Sequence, residues 1–485
     1  MKGAVEPRLS RGLRDLLSEP MLARQQMIDT IRGVYENYGF VPLGTPAIEF
    51  LDVLKGTAGQ ETQQAIFTVQ NPEREALGLR FDLTVPLARV VAQYPELPRP
   101  YRRYQVSPVW RADKPDRGRY REFIQFDLDS VGVASELADT EIIAGMCDTL
   151  AALRAQPFRV RYSSRGILNL LLAAAAVPEG GGADVLRVLD KLEKVGIDKV
   201  KRELTTGYKD ESGDPIRGLG MAAEQVATIE RFLDIRADAR QEVIARLREF
   251  FSGSAEAAAE IDLVERISRQ LAALGYGDEQ VTLDLSIARG LAYYTGPVYE
   301  AVLLDAPQYG SVFSGGRYDD LVMRFLGEKV PATGASLGVD RLLAALLHLG
   351  KAGGKKATAQ VLVARIDPSL EEECLAMTWE LRRAGIPAEL YLGGEKGVGR
   401  QIKYADLTGV PIVLLYGSTE KERGIVTLKD MEVGRELAKK VDARNEWLAQ
   451  RPGQRAVPRG ELVATVKEMM GAAAATAATA ATAAP

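Results

Sequence analysis

The residues best suited to chemistry in this 485-residue chain are arginines set among acids and aromatics in separate segments. VWRADKP carries Arg111, and RGRYREFIQFDLD follows with Arg119, Arg121, Gln125, Asp127 and Asp129. LRFDLTVP supplies Asp82 and Thr84, GASLGVDRL supplies Arg341, and RGLAYYTGPVYE sets Arg289 ahead of Tyr293 and Tyr294. An arginine is always charged and can grip a phosphate through two parallel hydrogen bonds, so arginines converging from several segments point to a polyphosphate ligand. Neither GxxxxGK[ST] nor GxGxxG occurs to do that work with backbone amides.

Other chemistry has little to stand on. The single histidine, His348 in LLAALLHLG, falls in an apolar helical run and reads as a partly buried helix residue, so the chemistry proceeds without a histidine base. Cys147 and Cys374 form no CxxC pair; they read as buried, inert thiols, and no metal site is assigned. With 62 basic and 66 acidic residues the net charge is −4, so a nucleic acid would have to be held by local basic patches. No run of about 18 uncharged apolar residues and no secretory apolar region occur, so the expectation is a cytoplasmic protein with no membrane partner.

The length calls for two or three domains. Helical spacing over residues 21–40 leads into the proline-marked VPLGTPAIEF. Alternating runs, LRFDLTVP, YRRYQVSPVWR and REFIQFDLDSVGV among them, then read as strands of an antiparallel α+β domain over residues 1–348. In LRFDLTVP that places Asp82 and Thr84 on one strand face, and in the last run it aligns Phe123, Gln125, Asp127 and Asp129. On that hairpin alone, charges facing water explain the pattern as well as a ligand pocket does. Residues 166–275 read as a mostly helical insertion, 349–359 as a linker, and 360–470 as a small α/β domain with a largely parallel sheet. The Ala/Thr-rich tail 471–485 has nothing to bury and is expected to be disordered.

Taken in order, these segments resemble the three signature motifs of class II aminoacyl-tRNA synthetases: the proline of GTPAIEF, then YRRYQVSPVWRADKPDRGRYREFIQFDLD, then GASLGVDRL. More narrowly, LSIARGLAYYTGPVYE and SVFSGGRYDDLV are similar to two peptides peculiar to histidyl-tRNA synthetases. EKGVGRQIKYADLTGVPIVLLYG and GIVTLKDMEVGRE resemble that family's anticodon-binding domain. The likeness covers nearly the whole chain except the tail and is weakest in the insertion.

The resemblance implies an ATP-dependent ligation of L-histidine to its tRNA through a histidyl-adenylate, with Mg2+ as cofactor and a homodimeric assembly. It places Arg289 and Arg111 at the α-phosphate and Arg341 at the γ-phosphate. Arg119 and Arg121 would serve ATP or the RNA end. Asp82, Thr84 and Gln125 would face the α-ammonium side of histidine, Asp129, Tyr293 and Tyr294 the imidazole, with Tyr318 nearby; Leu83, Arg111 and Arg289 also count among the histidine-binding residues. One departure stands out: Ala292 occupies a position where the family usually carries an acid. Two rival readings are a non-catalytic synthetase-like regulatory subunit of ATP phosphoribosyltransferase and a synthetase-derived RNA-binding protein. Arg289 and the 360–470 domain argue against the first, and Ala292 alone supports the second.

Overall fold

The computed structural model describes residues 5–56, 64–210, 213–288, 294–394, 397–438 and 453–471. Arg289, Ala292, Tyr293 and the tail from residue 472 therefore lie outside the described residues. The chain divides into two compact units, one built on Arg24–Ala352 with the N-terminal residues to Asp15, the other on Gly353 onward with Leu16–Ala23.

In the first unit six strands follow one another across a sheet, each antiparallel to the next: Phe158–Ser164, Pro297–Leu303, Ser311–Arg317, Ala332–Gly338, Glu122–Val131 and Tyr101–Trp110. Two short strands, Val281–Leu283 and Val41–Pro42, add parallel at the two edges. The hairpin of Tyr101–Trp110 with Glu122–Val131 keeps one register from Tyr101 opposite Val131 to Trp110 opposite Glu122. Because side chains alternate, that register sets Arg103, Gln105 and Ser107 directly against Asp129, Asp127 and Gln125 on one face. The opposite face carries Tyr104 and Phe126 into the core, where Tyr35 from the helix Ser18–Asn37 meets Phe126 edge-on with centroids 4.9 Å apart.

Glycines thin the middle of the sheet. A Cβ on Gly334 would overlap Oδ1 of Asp129, its neighbour across the ladder, so only glycine leaves that carboxylate its place. A Cβ on Gly316 would come within 2.8 Å of the Tyr294 ring.

LRFDLTVP departs from the strand reading. The strand is only Leu77–Leu79, in a separate three-stranded sheet, and a helix begins at Thr84. Pro86 fits the first helical turn, where no intrahelical N–H is needed, and Oδ1 of Asp82 accepts the Val85 N–H at 3.1 Å. A helix start, not strand alternation, thus presents Asp82 and Thr84 together. His348 likewise departs: it is the last residue of the helix Val339–His348 and is exposed, while Leu342, Leu343 and Leu346 of that helix are buried.

Between Arg165 and Ala273 the chain is helical apart from one small hairpin, Gly207–Lys209 with Pro215–Arg217. The second unit holds a five-stranded sheet: Ala388–Leu390, Val361–Val363 and Ile412–Leu415 run parallel, whereas Ile425–Asp430 and Gln454–Pro458 continue antiparallel. The sheet is therefore mixed rather than largely parallel. Cys147 and Cys374 are buried and separate, and burial pushes their thiols up to about 12 and about 11, which keeps them protonated. Among the described residues no helix is long and apolar enough to cross a membrane.

Candidate active site

On the face of the first unit's sheet that carries Asp129, a cleft of about 520 Å³ opens. Its walls include Asp82, Thr84, Arg111, Arg119, Gln125, Asp129, Tyr294, Tyr318 and Arg341, drawn from segments scattered over more than 250 residues of sequence. Leu83 and Arg121 are not in that lining. Leu83 is fully buried, and Arg121 is engaged by the loop, its Nε donating to the carbonyl of Asp113 at 3.2 Å.

Arg111 is aimed by its neighbours. Its Nε donates to the Phe81 carbonyl at 2.8 Å, Nη2 lies 3.4 Å from Oε1 of Gln125, and the guanidinium sits 5.3 Å from the Phe123 ring centroid. Gln125 in turn donates to the Ser336 hydroxyl. Arg341 enters from the first turn of its helix, with Nη1 donating to the Ser311 carbonyl at 2.6 Å. Gly118, at φ +66°, brings the loop between the hairpin strands against Arg341. Asp340, beside it, accepts the Ile124 N–H at 2.6 Å and Nη2 of Arg14 at 2.5 Å, which ties the helix start to the hairpin.

Acids gather at the other end. Burial raises the Asp82 carboxyl to about 6, against the lowering pull of the Val85 N–H, Arg111 and Arg103. Burial also raises Asp127, to about 7, with Arg103 opposing and Asp129 adding to it. Asp129 is raised by burial and held down by Arg103 and by the Tyr318 hydroxyl, which donates to its Oδ1. Asp127 and Asp129 titrate as a pair, because neighbouring carboxylates share their protons.

Four residues that the sequence reading passed over matter here: Arg103, Ser336, Asp340 and Glu300. Arg103 was visible as the first of three polar residues alternating along YRRYQVSPVW, but its partners depend on the hairpin register. Glu300 lines the cleft and is held by Arg161 from the neighbouring strand, one residue opposite in register. Among the described residues no group of three or more His, Cys, Asp or Glu side chains is arranged to hold a metal ion.

A model of the histidyl-tRNA synthetase family matches residues 12–342, the stretch that builds this cleft, and a model of the anticodon binding domain matches residues 360–469. The chain belongs to the histidyl-tRNA synthetase family. Among its relatives are histidine–tRNA ligases from Paracoccus denitrificans, 44% identical, and Cereibacter sphaeroides, 42% identical; each alignment covers 95% of this chain and 97% of the relative. The crystal structure of the histidyl-tRNA synthetase from Nostoc sp. PCC 7120 superposes with a TM-score of 0.79 at 30% identity, covering 96% of this chain and all of that one. The family's fold is thus shared through both units. The class II reading of the first unit, an antiparallel sheet under an α+β catalytic domain, holds, as does a separate C-terminal domain with its own sheet.

Proposed function

We propose that this protein ligates L-histidine to its cognate tRNA in two steps. The histidine carboxylate attacks the α-phosphorus of ATP and expels diphosphate, leaving histidyl-adenylate. A ribose hydroxyl at the RNA end then attacks the acyl carbon and AMP leaves. The observation that carries this reading is the single cleft joining fixed guanidinium groups at one end to buried carboxylates and phenols at the other, in a chain of this family.

The division suits the chemistry. Charge shifts across an already anionic phosphorus in the first step, so the catalyst has to position and neutralise rather than shuttle protons. Arg111, and Arg289 outside the described residues, serve the α-phosphate in this proposal, Arg341 the γ-phosphate, and Arg119 the nucleotide or the RNA end. Arg121 keeps at most a place in the outer loop. The acids serve the amino acid: Asp82, with Thr84 and Gln125, faces the α-ammonium. An imidazole needs an acceptor for its N–H and a donor for its bare nitrogen, which Asp129 with Tyr294 and Tyr293 supply, while Tyr318 nearby holds Asp129. A side chain lacking that donor and acceptor forgoes the hydrogen bonds the site offers and is rejected.

The Mg2+ expected for the reaction fits a mode in which the metal is held mainly by phosphate oxygens and water with few protein ligands, consistent with the lack of a three-residue cage among the described residues. Bound, it would neutralise the triphosphate. The second unit is proposed to hold the anticodon; Arg400 and Lys403 are exposed on its helix Val398–Thr408. A homodimer is proposed through the motif 1 segment. The helix Ser18–Asn37 spends Met27, Ile28, Ile31 and Tyr35 on its own core, so the apolar surface left for a partner is Val41, Ile48 and Phe50, each between 43% and 50% exposed.

Histidine-dependent exchange of diphosphate into ATP tests the proposal. Exchange is expected with histidine alone among the amino acids and with magnesium present; exchange driven by another amino acid, or none with histidine, overturns it.

A further inference from the structure

We propose that Arg103 is the positioning residue of the cleft's amino-acid end: from behind the wall it fixes the Asp129 carboxylate as an anion and locks the Asp82–Thr84 turn to the same strand. The inference rests on the histidine-ligating reading above.

Arg103 has no exposed surface and does not line the cleft, so it cannot touch substrate. Its Nη2 lies 2.9 Å from Oδ2 of Asp129 and 3.9 Å from Oδ2 of Asp127, and donates to the Leu83 carbonyl at 3.1 Å. Leu83 stands between two residues of the cleft wall, Asp82 and Thr84. A single buried nitrogen therefore joins the helix-start wall to the strand wall. It also explains why Leu83 belongs with the site although its side chain faces the core: its backbone oxygen is the tie.

The second consequence is electrostatic. A buried carboxylate without a cation takes up a proton rather than stay charged. Asp129 faces Arg103 from the adjacent strand, Asp127 along its own strand, Asp82 from the turn, Tyr318 donating to Oδ1, and Tyr299 from Pro297–Leu303. Among the described residues Arg103 is the cation in direct contact with Asp129. Without it burial favours the protonated form of Asp129, which offers an O–H where imidazole N–H needs an acceptor, and Asp127 would compete for the remaining positive potential.

The test is diphosphate exchange at pH 6 to 9 by the wild type, Arg103→Met, Arg103→Lys and the double variant Arg103→Met/Asp127→Asn. Losing the cation of a direct buried ion pair is expected to cost about ten- to a hundredfold in histidine binding. Arg103→Met should raise the histidine KM by that factor, with kcat and the ATP KM within about threefold of wild type. Its histidine KM should fall as pH rises, because Asp129 then ionises unaided. Arg103→Lys should recover part of the loss. The double variant should recover more, since removing the Asp127 charge lets Asp129 ionise at lower pH.

A histidine KM for Arg103→Met within threefold of wild type with a superimposable pH profile overturns the proposal. So does a parallel loss of kcat, both KM values and Tm that the double variant does not restore, which marks a purely structural role. If Arg103→Met does not fold, Asp127→Asn alone decides: the rise of histidine KM on acidification should move to lower pH, and an unmoved profile overturns the proposal. A wild type that fails to exchange with histidine sinks the ligase reading itself, whereas the variant outcomes leave that reading standing.

Discussion

The carboxylate of Asp340 accepts the backbone N–H of Ile124 at 2.6 Å, so the helix that delivers Arg341 is anchored to the strand that delivers Gln125 and Asp129. The two residues are 216 positions apart, and the acid is almost fully buried. Oδ1 of Asp340 is held by Arg14 and Arg24, which leaves Oδ2 for the strand. Replacing Asp340 with Ala removes the acceptor of the half-buried Ile124 N–H and the carboxylate paired with Arg14 and Arg24, at a cost of a few kcal/mol. We expect Asp340→Ala to lower Tm by several degrees and raise the ATP KM more than the histidine KM, since Arg341 loses its anchor. Thermal melts with and without ATP, alongside exchange kinetics, check this.

Gly334 makes the complementary case on the acid side. Adding a methyl group there forces Asp129 from its place, since the two meet across the ladder. Gly334→Ala should raise the histidine KM at least about tenfold, a cost of about 1.4 kcal/mol or more, and leave the ATP KM nearly unchanged. Equal effects on both substrates would show that the change spreads through the sheet.

Asp82 carries a pH signature with two opposite signs. Its carboxyl is raised to about 6 in the folded chain, above its ordinary value of 3.8, so the native state binds this proton more tightly than the unfolded one. This group therefore costs stability at pH 8, and the cost is relieved as pH falls through about 6 toward 4. Ligand binding runs the other way, because protonation removes the charge that the α-ammonium needs. Asp82→Asn should melt higher than wild type at pH 8, with the gap closing on acidification, while its histidine KM is raised at pH 8. Melts and exchange kinetics from pH 5 to 8 read both signs.

Arg289 and Ala292 are tested in one assay. Losing a preorganised cation at a developing charge typically costs a hundredfold to a thousandfold in rate, which is the drop expected for Arg289→Ala in diphosphate exchange, with circular dichroism unchanged. Ala292→Asp should change the rate by less than about tenfold. If it instead switches on a silent protein, the natural chain is the non-catalytic relative.

Phe50 tests the proposed assembly. It is half exposed beside Ile48 at the edge of the small three-stranded sheet. Phe50→Asp should convert a dimer to monomers in light scattering at micromolar concentration and reduce exchange along with it. A wild type already monomeric there refutes the dimer.

How far the sequence reached depended on how local the signal was. Arginines at 111 and 341, acids at 82 and 129, and the order of the motifs are written in residue type and short spacing, and they sufficed for the family and for a C-terminal domain with its own sheet. The helix start at Thr84 was written there too, in Pro86 and a capping Asp82, but apolar alternation in LRFDLTVP masked it. The mixed sheet of the second unit was less legible, because a β-strand's direction is set by its connections, not its composition.

Residue type and motif order by themselves pointed to a polyphosphate ligand and, through the family resemblance, to an amino-acid site. Tertiary structure alone decided which of those residues meet. Arg103 faces Asp129 only because the hairpin register pairs them, and a one-residue slip would turn every such side chain to the other face. Asp340 finds Ile124 only when strands far apart in sequence close into one sheet. Arg121 and Arg119 are two residues apart with the same chemistry, yet Arg119 lines the cleft and Arg121 does not, its Nε donating to the Asp113 carbonyl. Nothing in residue type separates them, since the direction of each side chain is set by loop backbone and by the packing it meets.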